Sequence, residues 1–286
     1  MTTPEDGTDA VEPEGSHQGA EAFRSEADAE SVTLETDRPH PARIYDYWLG
    51  GKDNFPPDRA AAEHAISVSP DIPQAARENR AYLRRAVRLA VEAGIRQFVD
   101  IGSGLPAQGN VHEVAQEIAP DARVVYIDND PIVLAHGRAL LADNRSTTVL
   151  TGDLRDLDEL LDRPALRELI DLSKPVAVLM MAVLHFVDDD QATAAVRAVH
   201  KRVVPGSYLL LSHSTAEGNP ERAAAAARTW DKTTSGIRLR NRARVEEFFE
   251  GWELLEPGVD FVPLWRPEGS THGSTRWMYA GAGRKI

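Results

Sequence analysis

The sequence predicts an α/β protein built on a mostly parallel sheet. From Gln97 onward, short continuous apolar runs alternate with helix-period segments, the pattern of parallel strands covered on both faces. The first of these runs, Gln97–Ile101, leads directly into Gly102-Ser103-Gly104 and then a helical segment, Asn110–Ala119. A strand, a glycine turn and a helix start is how such a fold brings bare backbone N–H groups to a ligand. Near the C-terminus two further strands are separated only by a stretch holding Pro257-Gly258, Pro263 and Pro267. No helix fits between them, so they predict a hairpin and one antiparallel strand.

The 286 residues suffice for one large core. Cysteine is absent, which excludes disulfides and thiolate chemistry. No apolar run reaches the roughly 18 residues a membrane helix needs, and the acidic N-terminus does not resemble a targeting peptide. A cytoplasmic protein is expected. The net charge of −13 is unevenly spread. Residues 1–37 hold eleven acids against one base, Arg24, so ten of the thirteen negative charges belong there. This stretch has few large apolar side chains and reads as a disordered tail. The rest is near balance and shows no basic footprint for nucleic acid.

Past the tail, Ala42–Leu49 has Ile44 and Trp48, and Tyr45 and Leu49, at i, i+4 spacing, which predicts a short helix ended by Gly50-Gly51. Gly50-Gly51-Lys52 is no phosphate loop, because Asp53 follows the lysine and no strand precedes it. Asp58–Ser67 and Ile72–Ala93 read as helices, the second with a solvated arginine face: Arg77, Arg80, Arg84, Arg85 and Arg88. Together residues 38–94 form a helical extension read as a lid, and 95–286 the sheet-bearing core. Strands then follow at Arg123–Ile127, Thr147–Leu150, Val176–Met181 and Tyr208–Leu211. Between and after them helices are expected at Ile132–Leu141, at Leu157–Leu172 with a break near Pro164, at Asp190–Val203, at Glu221–Trp230 and at Arg244–Glu250. The late strands are Trp252–Leu255 and Arg276–Ala280.

Gly102-Ser103-Gly104-Leu105-Pro106-Ala107 satisfies the loose dinucleotide pattern and by itself allows NAD. Three features point elsewhere. Asp100, two residues before the first glycine, repels a pyrophosphate but suits a cationic ligand. Pro106 has no N–H to offer where a phosphate-binding helix should begin. Asp128 and Asp153 end the second and third strands, where a ribose and an adenine amino group would lie. Each acid also has a capping reading, but three at successive strand ends describe a ligand with an ammonium, a ribose, an adenine and no phosphate. S-adenosylmethionine is such a ligand.

The runs Asp100-Ile101-Gly102-Ser103-Gly104, Tyr126-Ile127-Asp128-Asn129-Asp130-Pro131 and Gly152-Asp153-Leu154 resemble successive motifs of class I S-adenosylmethionine-dependent methyltransferases. More narrowly, Ala42-Arg43-Ile44-Tyr45-Asp46-Tyr47-Trp48-Leu49-Gly50-Gly51-Lys52-Asp53-Asn54 resembles the N-terminal signature of a bacterial S-adenosyl methyltransferase family first catalogued as a domain of unknown function. The resemblance runs from about Arg38 to the C-terminus. It implies a Rossmann-like seven-stranded sheet, the last strand antiparallel, with helices on both faces and an N-terminal helical extension. It also implies S-adenosylmethionine as cofactor, with Asp100, Gly102 and Gly104 at its methionyl end, Asp128 at the ribose, and Asp153, Leu154 and Asn129 at the adenosine.

The acceptor is not specified; a small molecule is expected, with no nucleic acid or membrane partner. Methyl transfer needs alignment and a dry site, and a base only if the acceptor must lose a proton. His185, just past the fourth strand, is the candidate base, and His213 a weaker second. Arg43, Tyr45 and Asn54 are candidates for a lid or substrate contact. No histidine–carboxylate spacing reads as a metal site. Two competing expectations remain: a non-catalytic S-adenosylmethionine sensor or scaffold, and a nicotinamide-dependent oxidoreductase, which Asp100 and Pro106 oppose.

Overall fold

The computed structural model describes residues 36–286 except 142–143 and 231–232. The expected acidic tail therefore lies, up to residue 35, outside the described residues. Five parallel strands form the centre: β1 (Gln97–Ile101), β2 (Arg123–Asp128), β3 (Thr147–Thr151), β4 (Ala177–Met181) and β5 (Tyr208–Ser214). β6 (Trp252–Leu254), β7 (Asp260–Phe261) and β8 (Met278–Lys285) complete the sheet, whose order is β3-β2-β1-β4-β5-β8-β6. β8 runs antiparallel to β5, β6 and β7, so it is the one reversed strand.

The late strands differ from the sequence expectation in two ways. The proline-bearing stretch contributes an eighth strand, β7, which pairs with β8. β8 also starts two residues later and runs to Lys285, through Gly281 and Gly283, which read as non-strand. A Cβ on Gly281 would lie 2.8 Å from the Phe249 ring, and one on Gly283 equally close to Phe249 and Trp252. Those glycines let the Phe249 ring and the Trp252 side chain approach the strand backbone, where a Cβ would displace them.

Alternation along the strands sorts the core into two halves. Phe98, Val124, Leu179 and Leu210 face one way, towards α3 (Ile72–Glu92) and α4 (Val111–Ile118). Val99, Val125, Val178 and Leu209 face the other way, towards α6 (Leu157–Leu160), α7 (Pro164–Arg167), α8 (Asp189–Arg202) and α10 (Arg242–Glu247). Asp100 takes its turn on the α3 side. That places a carboxylate under α3 at the carboxyl end of β1, where open α/β sheets bind ligands.

α3 is amphipathic, burying Ala75, Ala76, Asn79, Tyr82, Leu83, Ala86, Val87 and Ala90. Its face is not only an apolar one against the sheet: Tyr82 Oη donates to Gly281 O at 2.6 Å, tying the helix to β8. Ahead of it stand α1 (Pro41–Trp48) and α2 (Pro56–Val68), each with proline in the first turn, where no intrahelical N–H is needed. α1 stops at Leu49 and Gly50, the latter at φ 81°, as the double glycine predicts. α5 (Pro131–Leu140) is capped by Asp130, not Asp128, through Ile132 N–H. α9 (Pro220–Trp230) lies after β5 and packs on α2. Among the described residues no helix is long and apolar enough to cross a membrane.

Candidate cofactor and acceptor site

A cavity of about 370 Å³ opens at the carboxyl ends of β1 to β5, within the roughly 300–1,000 Å³ range of small-molecule sites. Its floor is the sheet edge. Its roof comes from α1, α3, α9 and the segment after α9, with Tyr45, Trp48, Ile72, Trp230 and Leu239 in the wall.

One end gathers the predicted acids. Asp100, Gly102, Gly104, Asp128, Asn129, Asp153 and Leu154 all line it. Gly102 and Gly104 take φ 70° and 66°, the left-handed region that glycine enters cheaply. Gly102 is needed twice over, because a Cβ there would stand 2.3 Å from Val183 Cγ2. Gly104 N–H donates to Asp128 Oδ2 at 2.8 Å. A loop amide that would greet a phosphate is thus given to a carboxylate. Asp128 Oδ1 also accepts Asp130 N–H at 2.9 Å, so this one side chain holds the glycine loop to the α5 turn. α4 starts only at Val111, five residues beyond Pro106. Where a dinucleotide fold would begin its helix, at Pro106, the chain runs as a loop with its own turn at Gly109, φ 72°, and α4 follows the Asn110 cap as the sequence predicts.

Asp100 is different. It is 4% exposed, lines the cavity, and no hydrogen-bond donor among the described residues reaches its carboxyl. Burial pushes its pKa up to about 7; nearby Arg80 opposes that rise and Asp128 adds to it. Burial likewise lifts Asp128 to about 6, against the pull of its backbone donors. A buried carboxyl with nothing to hold is a cradle for a cationic donor. This is what the ammonium end of S-adenosylmethionine requires, so the residues fit that group.

Asp153 is held more tightly than the sequence suggests. Its carboxylate accepts Arg155 N–H at 2.9 Å and Arg155 Nε at 2.8 Å, and Asn129 Nδ2 at 3.2 Å. The Arg155 pairing holds it at about 2. Leu154 begins the 3-10 turn that follows.

At the β4 end, His185 sits in a 3-10 turn, 3% exposed, in the cavity wall. Its Nδ1 accepts Ser214 N–H at 3.3 Å, which puts the ring proton on Nε2. Burial drives its pKa well below 6.5, and His213 and Arg240 push the same way. His213 does not line the cavity. Its Nδ1–H donates to Ser214 O at 2.8 Å and its Nε2 accepts from Arg240 at 2.8 Å, and burial lowers it to about 3. Ala182, next to His185's turn, takes φ 54°, an uncommon value for a residue with a Cβ. Ser212 anchors it, accepting Ala182 N–H on its carbonyl at 3.1 Å and its hydroxyl at 3.0 Å.

The N-terminal signature separates into wall and frame. Tyr45 lines the cavity; its hydroxyl donates to Ala76 O at 2.9 Å and accepts from Asn79 Nδ2 at 3.1 Å. Arg43 and Asn54 do not line it. Arg43 is buried between Asp58 (3.7 Å) and Asp130 (3.6 Å), bracing α1 against α2 and α5. Asn54 Nδ2 donates to Asp46 Oδ2 at 2.9 Å and to Gly51 O at 3.1 Å. Asp46 is the hub of that loop, also accepting Asp53 N–H at 3.0 Å. A Cβ on Gly51 would fall 1.9 Å from Asp46 Oδ1, which explains the second glycine.

Several residues in or behind the cavity wall escaped the sequence reading. Arg80, assigned to a solvated face, is half-buried in the wall and donates to Gly109 O at 3.1 Å and Asn110 Oδ1 at 3.2 Å. Arg85 of the same helix turns to Val262 O (2.8 Å) and Trp265 O (3.1 Å). Arg240, buried, clamps the His185 turn through Leu184 O (2.8 Å) and Val187 O (3.0 Å). Asn79 interrupts the apolar stripe of α3, and that interruption was the available signal. Among the described residues no group of histidines and acids is placed to hold a metal ion.

A sheet in this order, bearing acids at the ends of its first three strands around a phosphate-averse glycine loop, is the class I methyltransferase form of the Rossmann-like fold. Comparison with known proteins makes the assignment narrower. Residues 27–286 match the model of the S-adenosyl methyltransferase family, and the chain belongs to that family. A DUF574 family protein from Streptomyces avermitilis MA-4680 is 43% identical, over 89% of this chain and 100% of that one, with a TM-score of 0.85. A Thermobifida fusca YX protein described as a candidate methyltransferase is 44% identical, over 88% and 97%, with a TM-score of 0.83. A carboxy-S-adenosyl-L-methionine synthase from Geobacter metallireducens is 30% identical over 104 residues, 36% of this chain. The chain spans 38% of the length of that curated relative. S-adenosylmethionine is the cofactor of the family and of this chain.

Proposed function

We propose that the protein transfers a methyl group from S-adenosylmethionine to a small-molecule acceptor. The observation that carries this is Asp100, a buried cavity carboxyl with no donor of its own. In this reading Asp100 holds the methionyl ammonium, and Gly102 and Gly104 let the backbone approach it. Asp128 accepts from the ribose, Asn129 and Leu154 flank the adenosine, and Asp153 accepts from the adenine amino group once Arg155 yields. When bound, the cofactor supplies a methyl carbon already activated by a positive sulfur. The chain has only to align the acceptor, exclude water and leave the charge free to move. α1, α3 and α9 serve as the roof, α2 packed behind α1, with Tyr45 as a contact residue and Arg43 and Asn54 as its bracing.

His185 enters this reading as a hydrogen-bond donor, because its Nε2 carries the proton and its Nδ1 is taken. It orients an acceptor heteroatom and does not deprotonate it. Isothermal titration of S-adenosylmethionine and S-adenosylhomocysteine tests the assignment: micromolar binding by the wild type, weakened about a hundredfold in Asp100→Asn, supports it, and no binding to the pure protein ends it.

The same histidine gives a second reading, a cofactor-binding sensor without turnover. Formation of S-adenosylhomocysteine from a mixed acceptor pool, abolished in Asp128→Ala and kept in the exposed Arg77→Ala, would exclude the sensor.

A further inference from the structure

The acceptor end of the cavity carries a feature that the cofactor does not use. Five cavity-lining rings contact one another in an unbroken series. His185 and Phe186 lie 4.4 Å apart, Phe186 and Trp230 5.5 Å, Trp230 and Trp48 5.9 Å, and Trp48 and Tyr45 6.4 Å. The series crosses from the turn after β4, through the end of α9, to α1. Ile72, Ile237 and Leu239 also line this cavity, and none of these eight side chains carries a formal charge with His185 neutral.

The rings meet tilted or edge to face, so they form a continuous wall and not a box closed on one point. A box of aromatic faces selects a compact cation. A wall of successive rings favours a flat apolar partner, through offset and edge contacts. The wall also ends on a polar atom in need of a partner. Asn79 is 3% exposed and lines the cavity, and its Oδ1 has no hydrogen bond. The orientation of that amide is set by Tyr45. The tyrosine proton goes to Ala76 O, so Tyr45 Oη accepts from Asn79 Nδ2 and the orphan atom is the oxygen. Oδ1 is itself closed off from solvent, so a ligand O–H or N–H removes the cost of this unsatisfied acceptor by turning the Asn79 amide towards the cavity.

We propose that the acceptor is an uncharged planar aromatic molecule bearing a ring hydroxyl, laid along the His185–Tyr45 wall with a donor to Asn79 Oδ1. This rests on the methyltransferase reading of the same site. Transfer forms a bond from the ring oxygen to the methyl carbon, breaks the carbon–sulfur bond with its electron pair left on sulfur, and releases the hydroxyl proton to water. A phenol suits a wall without a proton acceptor, since it ionises near pH 10, far more readily than an aliphatic alcohol.

The test uses the full chain saturated with S-adenosylhomocysteine and three probes followed by ligand-observed NMR: 4-ethylphenol, 4-ethylcyclohexanol and 4-ethylbenzylammonium, with ethylbenzene as the control that has no donor. 4-Ethylphenol should bind about tenfold tighter than either of the others. Trp230→Leu should abolish that preference and Trp230→Phe retain most of it. Asn79→Leu should weaken 4-ethylphenol about fivefold and leave ethylbenzene unchanged. Equal binding of the phenol and the cyclohexanol, tighter binding of the cation, or a preference that survives Trp230→Leu would overturn the proposal. S-adenosylhomocysteine affinity is measured on every variant. Its absence in the wild type would remove the methyltransferase reading, whereas normal affinity without an aromatic preference would remove only this inference. Should Trp230→Leu lose the cofactor product through misfolding, the Trp230→Phe and Asn79→Leu results decide.

Discussion

Asp100→Asn separates the cost of the site from its use. The wild-type carboxyl rises from 3.8 to about 7 on folding. The folded chain therefore holds the proton more tightly than the unfolded one. Stability from this group is fully present below about pH 4 and is lost as pH rises through about 7. At about pH 8 the ionised carboxyl costs the ligand-free fold about 4 kcal/mol. Asparagine removes that cost but brings an amide that finds no partner there, so a net gain of about 1–3 kcal/mol is expected. That corresponds to roughly 2–4 °C in Tm for each kcal/mol in a chain of this size.

Binding should move the other way. The cationic ligand needs the ionised carboxyl, whose population rises about 25-fold between about pH 5.5 and about pH 7.5 for a group titrating near 7. S-adenosylhomocysteine, which keeps the ammonium, should tighten by that factor across the same interval in titration calorimetry. Asp100→Asn should bind about a hundredfold more weakly and lose the pH dependence. A substitution that leaves affinity unchanged, or a wild-type affinity flat in pH, would refute the assignment of Asp100 to the ammonium.

Gly102→Ala must place a Cβ against Val183 at φ 70°; denaturant melts should show a loss of about 1–3 kcal/mol, partly restored by Val183→Ala. His185 and His213 titrate below their ordinary value, so they withhold stability as pH falls below 6.5, opposite in sign to Asp100 and Asp128. In Asp100→Asn the histidine contribution is less opposed, and urea melts should show a steeper rise in stability from about pH 5 to about pH 7. Imidazole nitrogen NMR should find His185 still neutral, with its proton on Nε2, well below the ordinary histidine pKa of 6.5. Arg43→Met leaves Asp58 and Asp130 buried without that cation; a loss of about 3–5 kcal/mol is expected in the same melts.

The sheet was legible because strand and helix periods are local. β1 to β5 each announce themselves as a short stretch with at least two successive apolar residues, from Val149-Leu150 in β3 to the whole of Ala177–Met181 in β4. The far half of β8 was not legible, because it passes through Gly281 and Gly283, where a Cβ would meet the Phe249 ring and the Trp252 Cβ. β7 is two residues long, shorter than any period can register. The three acids were legible for the same local reason: the end of a strand is a place in the sequence and also a place at the ligand edge of a parallel sheet.

Arg80 and Asn79 show where that logic stops. Adjacent in sequence, they point a helical step apart, Arg80 to the Gly109 loop and Asn79 to Tyr45. A charge on a long helix is ordinarily solvated, so nothing in α3 alone separates Arg80 from the exposed Arg77, Arg84 and Arg88. What separates it is docking against a loop about thirty residues away. α3 thereby touches both ends of the cavity. Arg80 steadies the loop behind Asp100, and Asn79 fixes the Tyr45 end of the aromatic wall. His40 and Arg43 tie α1 independently to Asp130, whose own N–H holds Asp128. The roof is thus fastened to the surroundings of the acids that the proposed reading assigns to the cofactor. An acceptor pressing on Tyr45 acts through α3 and α1 on a cofactor end already set, which favours cofactor binding first and acceptor binding second. Product-inhibition kinetics check that order: S-adenosylhomocysteine competitive with S-adenosylmethionine and noncompetitive with the acceptor is expected, and competition with the acceptor would refute it.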